Sequence, residues 1–208
     1  QKKEKTKLKQ KLGFKENQIL ILSVCRLSPL KKLDDLIFAF TEINKLIKND
    51  LYLLIAGSGP DLERLKSISK TAGVNSRIFF LGRISNEKIH EIYQAVDLFV
   101  LPSSHETFGI AILEAMASGV PVIMARSGGV VSIFTDKKNC LMYEPGNIAE
   151  LRTALYELIT NTRLRELIAE KARKMVIQNY SWDSIAQQTQ NLYKTSFKTV
   201  KKASSGKK

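Results

Sequence analysis

Short apolar runs alternate with longer amphipathic stretches along most of the chain, starting at Gln18. The apolar runs predict six strands, at Gln18–Val24, Leu51–Ala56, Ile78–Leu81, Leu98–Leu101, Val120–Met124 and Cys140–Tyr143. Helical patterns lie between them, at Asp34–Lys48, Asp61–Thr71, Asn86–Gln94 and Gly109–Ala117. Because the strands are continuously apolar, we expect helices to cover both faces of the sheet. The pattern therefore predicts an α/β fold, a Rossmann-like doubly wound parallel sheet.

The pattern changes after the last predicted strand, so the sheet should end near Tyr143. Three consecutive helices are predicted, at Ile148–Thr160, Arg163–Gln178 and Trp182–Phe197. We expect one domain with C-terminal helices over residues 17–195, preceded by a basic arm at 1–16 and followed by a basic tail at 196–208.

The composition is that of a globular protein. A chain of 208 residues with 44% hydrophobic and 25% charged residues can bury a core. Its apolar runs are only strand-sized, which predicts no membrane-spanning helix. Cys25 and Cys140 lie far apart, so the sequence indicates neither disulfides nor a zinc site and favours a reducing, cytoplasmic compartment. The chain starts at Gln1 with lysines and no apolar segment, from which we expect a piece of a longer protein without a secretory signal.

The net charge of +13 is concentrated at the two ends. Residues 1–15 carry seven Lys and one Glu, and residues 194–208 carry six Lys and no acid. The 178 residues between them have a net charge of +1, so we expect no nucleic-acid partner. The lysine-rich ends fit solubilising, disordered segments, or a peripheral contact with an anionic membrane on the cytoplasmic face.

The loops that leave the strands are the candidate site, because ligands of doubly wound sheets bind beyond the carboxyl ends of the strands. After the first strand, Arg26 and Lys31 lie five residues apart around Pro29. An Arg fork and a Lys ammonium can together hold a diphosphate. An ordinary solvated loop is the alternative.

Glycines follow the second and third strands. Gly57-Ser58-Gly59-Pro60 precedes a helix, where glycine permits a tight turn and the helix N-terminus favours an anion. The loop matches neither the full dinucleotide fingerprint nor a Walker A loop, so a simple turn is the alternative. Gly82-Arg83 is open to the same two interpretations.

Two glutamates follow the fourth strand. Glu114 is the one charge between Gly109 and Gly119, which predicts a helix buried on all sides. A buried carboxylate needs a partner, and a ribose diol would satisfy it. The alternative is a structural partner, such as Arg126 or the backbone N–H groups of a neighbouring helix. Glu106 lies beside the start of this helix, where it would either accept hydrogen bonds from sugar hydroxyls or merely favour the helix N-terminus.

Seven sequence elements occur along the chain in a definite order. They are Arg26…Lys31, Gly57-Ser58-Gly59-Pro60, Phe80-Leu81-Gly82, Asp97-Leu98-Phe99-Val100-Leu101-Pro102-Ser103, Glu106-x7-Glu114, Glu114-Ala115-Met116-Ala117-x-Gly119-x-Pro121-Val122 and Gly128-Gly129. In this order they resemble retaining glycosyltransferases of family 4, and the Glu-x7-Glu element is the most specific of them. The resemblance covers about residues 17–195 and is to the C-terminal, donor-binding domain of the two-domain GT-B fold.

The resemblance implies a nucleotide-diphosphate sugar as donor, with UDP favoured and no cofactor or metal required. By analogy, Arg26 and Lys31 would hold the diphosphate, Glu114 the ribose and Glu106 the hydroxyls of the transferred sugar. The implied donor-binding residues are Arg26, Lys31, Gly57, Gly82, Arg83, Glu106, Phe108, Gly109, Ile110 and Glu114, and the implied catalytic residues are Glu106, Arg26 and Lys31.

The implied reaction is retaining transfer of a hexose to a glycan or lipid-linked acceptor, by front-face attack. The family's acceptor-binding domain is absent from these 208 residues, so we expect little or no transfer by this chain alone. The amphipathic C-terminal helices, which in the family pack across the domain interface, should be partly uncovered. Lys32 stands where the family usually has glycine. A non-catalytic nucleotide-binding module and a basic adaptor for a membrane or nucleic acid are the alternative functions.

Overall fold

The computed structural model describes the backbone of residues 2–47 and 50–205, and the side chains of residues 3–47 and 50–196. Six parallel strands form one sheet in the order β3-β2-β1-β4-β5-β6. The strands are β1 Ile19–Val24, β2 Leu51–Ala56, β3 Ile78–Gly82, β4 Leu98–Leu101, β5 Val122–Ala125 and β6 Leu141–Tyr143. The helices are α1 Lys2–Lys11, α2 Leu33–Leu46, α3 Leu62–Thr71, α4 Asn86–Ala95, α5 Ile110–Ala117, α6 Ile148–Thr160, α7 Thr162–Tyr180 and α8 Trp182–Ser205. The structure confirms the doubly wound, Rossmann-like fold.

The core lies in two layers, one on each face of the sheet. Successive residues of a strand point to opposite faces, so Ile21 packs with α2 and α6 while Leu20 and Leu22 pack with α4, α5 and α7. Because both layers are apolar, the strands read as continuous apolar runs. The strand order reverses between β1 and β4, and this reversal opens a crevice at their carboxyl ends.

The N-terminal segment differs from the expected basic arm, because Lys2–Lys11 form α1 and two of its lysines turn inward. Lys5 Nζ and Lys9 Nζ each lie 2.7 Å from a carboxylate oxygen of Asp97. Lys9 is only 4% exposed and also donates to the carbonyl oxygen of Gln18 at 2.6 Å. Residues four apart share one face of a helix, so both lysines reach the same acid. The expectation of a free arm is thus corrected for these two residues.

The helix around Glu114 also differs from its prediction. It is not buried on all sides, since Ile110 is 66% exposed and Glu114 is half-buried. The reason is its position: the first turn of α5 lies at the open, carboxyl end of the sheet, where the neighbouring helices no longer cover it. Only the face carrying Ile112, Ala115 and Met116 enters the core.

The C-terminal helices begin close to their predicted positions, but α8 extends beyond the predicted end at Phe197 to Ser205. Trp182, Leu192 and Tyr193 of α8 are 89%, 67% and 64% exposed, in agreement with the expected uncovered face. The side chains of the predicted basic tail, from residue 197 onward, lie outside the described residues. No helix in the described part of the chain is long and apolar enough to span a bilayer.

Candidate active site

Two adjoining cavities lie at the carboxyl ends of the strands. The larger, about 510 Å³, is lined by Val24, Cys25, Arg26, Ala56, Gly57, Ser58, Gly59, Arg83, Ile84, Asn86, Ile89 and Glu114. The smaller, about 180 Å³, is lined by Val24, Cys25, Arg26, Lys31, Leu101, Glu106, Gly109, Ile110 and Ala111. The segment Val24 to Arg26, where β1 ends, lines both cavities, so the two lie side by side in the crevice at the carboxyl ends of the strands.

Eight of the ten candidate residues line this crevice. Arg26, Gly57, Arg83 and Glu114 lie on the larger cavity, and Arg26, Lys31, Glu106, Gly109 and Ile110 on the smaller one. Gly82 and Phe108 line neither cavity. The carbonyl oxygen of Gly82 accepts a hydrogen bond from Gly57 N at 2.8 Å, and the ring of Phe108 packs edge-on against that of Tyr180, with ring centroids 6.1 Å apart.

Glu114 has a structural partner that the sequence did not suggest. The hydroxyl of Tyr93, in α4, donates to Glu114 Oε2 at 3.0 Å. The alternative partner considered above, Arg126, instead pairs with Glu144 and Asp136 at 3.0 and 3.3 Å. Since Glu114 is half-buried and lines the larger cavity, one side of its carboxylate is held while the cavity side faces open space.

Polar groups that sequence reasoning missed also line the larger cavity. Asn86 begins α4, and Ser58 lies between the two glycines after β2. Both follow strand ends, which is the signal that would have found them. Arg26 and Arg83 form no ion pair with any residue of the described chain. The wall therefore offers two uncommitted guanidinium groups.

Lys31 and Glu106 pair with each other beside the smaller cavity. Lys31 Nζ lies 2.7 Å from Glu106 Oε2 and donates to Ser103 Oγ at 3.3 Å. Both side chains are partly exposed, 22% and 14% respectively. An ammonium group has three donors, so after these two contacts one donor of Lys31 remains for a further anion.

A seam of close backbone contact joins the loops after β1 and β2. A Cβ atom on Gly57, at φ 137°, would collide with the carbonyl oxygen of Cys25, and one on Gly59 with that of Leu27. Leu27 N donates to Ser58 O at 3.0 Å across the same seam. These glycines are thus required by loop packing, which is the turn interpretation of this motif, although Gly57 also forms part of the cavity wall.

A second seam supports the loop that carries Glu106. A Cβ atom on Gly128 would collide with the carbonyl oxygen of Glu106, and one on Gly129 with that of Thr107. Gly129 N donates to Glu106 O at 2.9 Å, and Ser127 Oγ donates to Ser103 O at 2.7 Å. The backbone of this loop is therefore fixed from behind by the Ser127-Gly128-Gly129 segment.

Two residues beside the smaller cavity have left-handed backbone: Gly109, which precedes α5, and Lys32, which follows Lys31. Gly109, the N-cap of α5, has φ 76°. Its carbonyl oxygen accepts from Ile112 N and Leu113 N, so the N–H groups without an acceptor within the helix are those of Ile110 and Ala111. Lys32 has φ 49° and ψ 38°, a conformation that favours glycine.

Burial raises the pKa of Cys25, on the shared wall, to about 11. This thiol therefore stays protonated at neutral pH and is a poor nucleophile. Within the described residues, no group of three or more His, Cys, Asp and Glu side chains could hold a metal ion. The chemistry that the crevice offers is the recognition of anions by Arg26, Arg83, Lys31 and the α5 N-terminus, and of hydroxyl donors by Glu106 and Glu114.

Comparison with known proteins gives a consistent picture. The family model Glycosyl transferases group 1 matches residues 4–175. An uncharacterized glycosyltransferase of Methanocaldococcus jannaschii is 34% identical over 191 residues, which are 92% of this chain and 48% of that protein. The chain spans about half the length of the curated relatives it matches.

Solved structures share the fold. Anabaena HepE in complex with UDP superposes with a TM-score of 0.84 at 27% identity, over 93% of this chain and 53% of that chain. The C-terminal domain of the group 1 family protein LpcC from Francisella tularensis superposes with a TM-score of 0.75 at 28% identity, over 86% of this chain and 93% of that one.

Proposed function

The chain belongs to the Glycosyl transferases group 1 family, and we propose that it is the donor-binding domain of a retaining glycosyltransferase whose donor is a UDP-sugar. The carrying observation is that two adjoining cavities at the carboxyl ends of the strands bring these candidate residues together, with Glu114 on the larger cavity, Lys31 and Glu106 on the smaller one, and Arg26 on both. The Anabaena relative was solved with UDP and with UDP-glucose, which supports the choice of nucleotide.

The distribution of side chains over the two cavities supports this donor, because Glu114, Arg83 and Asn86 line the larger cavity and Lys31 and Glu106 the smaller one. Glu114 would accept hydrogen bonds from the ribose, with Arg83 and Asn86 near the base. Arg26 and the free donor of Lys31 would bind the diphosphate. The transferred sugar would enter the smaller cavity, where Glu106 would accept hydrogen bonds from the sugar hydroxyls. The α5 N-terminus adds a positive partial charge at the same place.

Catalysis would follow from positioning and from stabilising the charge on the departing diphosphate. Arg26 and Lys31 would supply the positive charge that a metal ion supplies in other enzymes, so the proposal requires no metal. Glu106 would hold the sugar while the acceptor hydroxyl attacks from the face on which the diphosphate leaves. Transfer of a hexose to a glycan or lipid-linked acceptor, and inactivity of this chain alone, are parts of the proposal that depend on a second domain.

The direct test is calorimetric titration of the 208-residue chain with UDP, GDP and ADP. We expect Lys31→Ala and Glu114→Ala each to weaken UDP binding tenfold or more, about 1.4 kcal/mol. Lys66→Ala is the matched control, because Lys66 lies on α3 and pairs with the exposed Glu63 away from the crevice. Unchanged UDP affinity in both site variants would overturn the assignment.

The same titration addresses the adaptor alternative. A basic adaptor for a membrane or nucleic acid would depend on lysines, yet Lys5 and Lys9 are engaged with Asp97. We also propose that the domain is cytoplasmic, with at most a peripheral membrane contact. Truncation after residue 193 removes the lysine-rich tail. A nearly unchanged UDP affinity in the truncated chain would support the donor-binding function, whereas loss of UDP binding would favour the adaptor.

A further inference from the structure

A buried tyrosine stands directly behind the cavity carboxylate. Tyr93, near the end of α4, is fully buried, and its ring packs against Phe99 of β4 with centroids 5.9 Å apart. Its hydroxyl lies 3.0 Å from Glu114 Oε2 and 3.4 Å from the carbonyl oxygen of Ala111, so the carboxylate is the nearer acceptor. Tyr93 lines neither cavity. It can therefore influence a ligand only through Glu114.

The hydrogen bond occupies part of the Glu114 carboxylate and leaves the rest available. An ionised carboxylate offers about four acceptor sites. Over residues 3–47 and 50–196, Tyr93 is the one side chain that forms a hydrogen bond or ion pair with Glu114. Since Glu114 lines the larger cavity, its remaining acceptor sites are open to a guest there.

The tyrosine keeps its proton at neutral pH. Burial raises the pKa of Tyr93, and the nearby Glu114 charge raises that pKa further. The hydroxyl is therefore a permanent donor to the carboxylate. The core packing of the ring fixes the direction from which this donor approaches.

We propose that Tyr93 is a positioning residue that holds Glu114 in the orientation needed to bind a vicinal diol, and so sets the preference of the site for nucleotides with ribose hydroxyls. The proposal rests on the proposed function, in which Glu114 binds the ribose. A free glutamate side chain samples several rotamers, and ordering it on binding reduces affinity. A hydrogen bond formed before the ligand arrives removes that cost.

The test compares UDP with 2′,3′-dideoxy-UDP, which lacks both ribose hydroxyls, by calorimetry on the 208-residue chain. We expect the wild type to prefer UDP. Tyr93→Phe should weaken UDP binding about tenfold and leave dideoxy-UDP binding unchanged, so that the preference falls by the same factor. Phenylalanine keeps the ring that packs against Phe99, and thermal unfolding verifies that the variant is folded.

Tyr143→Phe is the matched control. Tyr143 is also buried, in β6, and its hydroxyl has no hydrogen-bond partner in the described part of the chain. Removing that hydroxyl should change neither affinity. If Tyr93→Phe lowers both affinities equally, or lowers only the melting temperature, Tyr93 is merely structural and the inference is overturned.

Glu114→Ala separates this inference from the function on which it rests. Loss of the UDP preference in Glu114→Ala, with the preference intact in Tyr93→Phe, would overturn the role of Tyr93 alone. A preference that survives in Glu114→Ala would overturn the ribose role of Glu114, and a wild type that does not bind UDP or does not prefer it would overturn both.

Discussion

An ion pair between a lysine and a carboxylate lies near each end of strand β4, and the two pairs have different surroundings. Asp97 directly precedes β4 and pairs with Lys9 at 2.7 Å, and Glu106 follows the strand and pairs with Lys31 at the same distance. The two ion pairs are alike in chemistry and length. They differ in what surrounds them.

The pair at the amino end is saturated. Asp97 also accepts from Leu20 N at 2.9 Å and pairs with Lys5, while Lys9 also donates to the backbone of Gln18. At the carboxyl end, Lys31 and Glu106 are partly exposed and line a cavity. An ion pair with all its neighbours satisfied is part of the fold, whereas one beside open space can exchange a partner for a ligand.

The largest expected effect comes from neutralising each acid in turn. Asp97→Asn leaves Lys9 buried beside a neutral group, and we expect the free energy of unfolding to fall by about 3–5 kcal/mol. The matched substitution Glu106→Gln leaves Lys31 beside the smaller cavity, where water can still reach its ammonium group, and should lower it by only about 1–2 kcal/mol. Urea denaturation followed by circular dichroism measures both. Similar losses in the two variants would contradict the comparison.

A smaller effect is expected from pH. Burial on its own raises the pKa of Asp97, but the charges and hydrogen bonds of Lys5 and Lys9 outweigh it and hold the pKa below its usual value. The stabilisation is therefore fully present above the unfolded-state pKa of about 3.9 and is lost as the pH falls through the lowered folded-state pKa.

The stability difference between wild type and Asp97→Asn should accordingly be constant from about pH 7 to 5 and shrink below about pH 4. Urea midpoints at a series of pH values measure it. A difference that does not change in acid would show that the Asp97 charge is not what stabilises this end of the sheet.

The smallest effect concerns backbone strain beside Lys31. Lys32 has φ 49°, in the left-handed region. That conformation costs a residue with a Cβ about 1–2 kcal/mol, part of which glycine loses again through its greater freedom in the unfolded chain. We expect Lys32→Gly to stabilise the chain by up to about 1 kcal/mol with UDP affinity retained, as measured by urea denaturation and calorimetry. Destabilisation would show that the Lys32 side chain contributes more than its backbone strain removes.

Much of the fold was predictable because it depends on local patterns. Leu51–Ala56 and Leu98–Leu101 are strands with the predicted bounds, and α3 ends at Thr71, the predicted end of that helix. The crevice was predictable as well, since parallel strands bring their carboxyl ends together.

The unpredicted features depend on partners distant in sequence. Lys5 and Lys9 resemble any solvated lysines until α1 meets Asp97, about ninety positions later. Tyr93 has the apolar spacing of a core residue in α4, and only the tertiary fold brings its hydroxyl to Glu114. Arg126 was a reasonable partner for Glu114 by charge, but it pairs with Asp136 and Glu144 instead.

The two glycine seams have a practical consequence for redesign. Gly57 with Gly59, and Gly128 with Gly129, lock the crevice loops main chain to main chain. The backbone of these loops therefore does not depend on the side chains of Arg83 and Asn86, which can be exchanged to seek new ligand specificities without changing the loop structure. A library aimed at this domain should randomise those positions and leave all four glycines untouched.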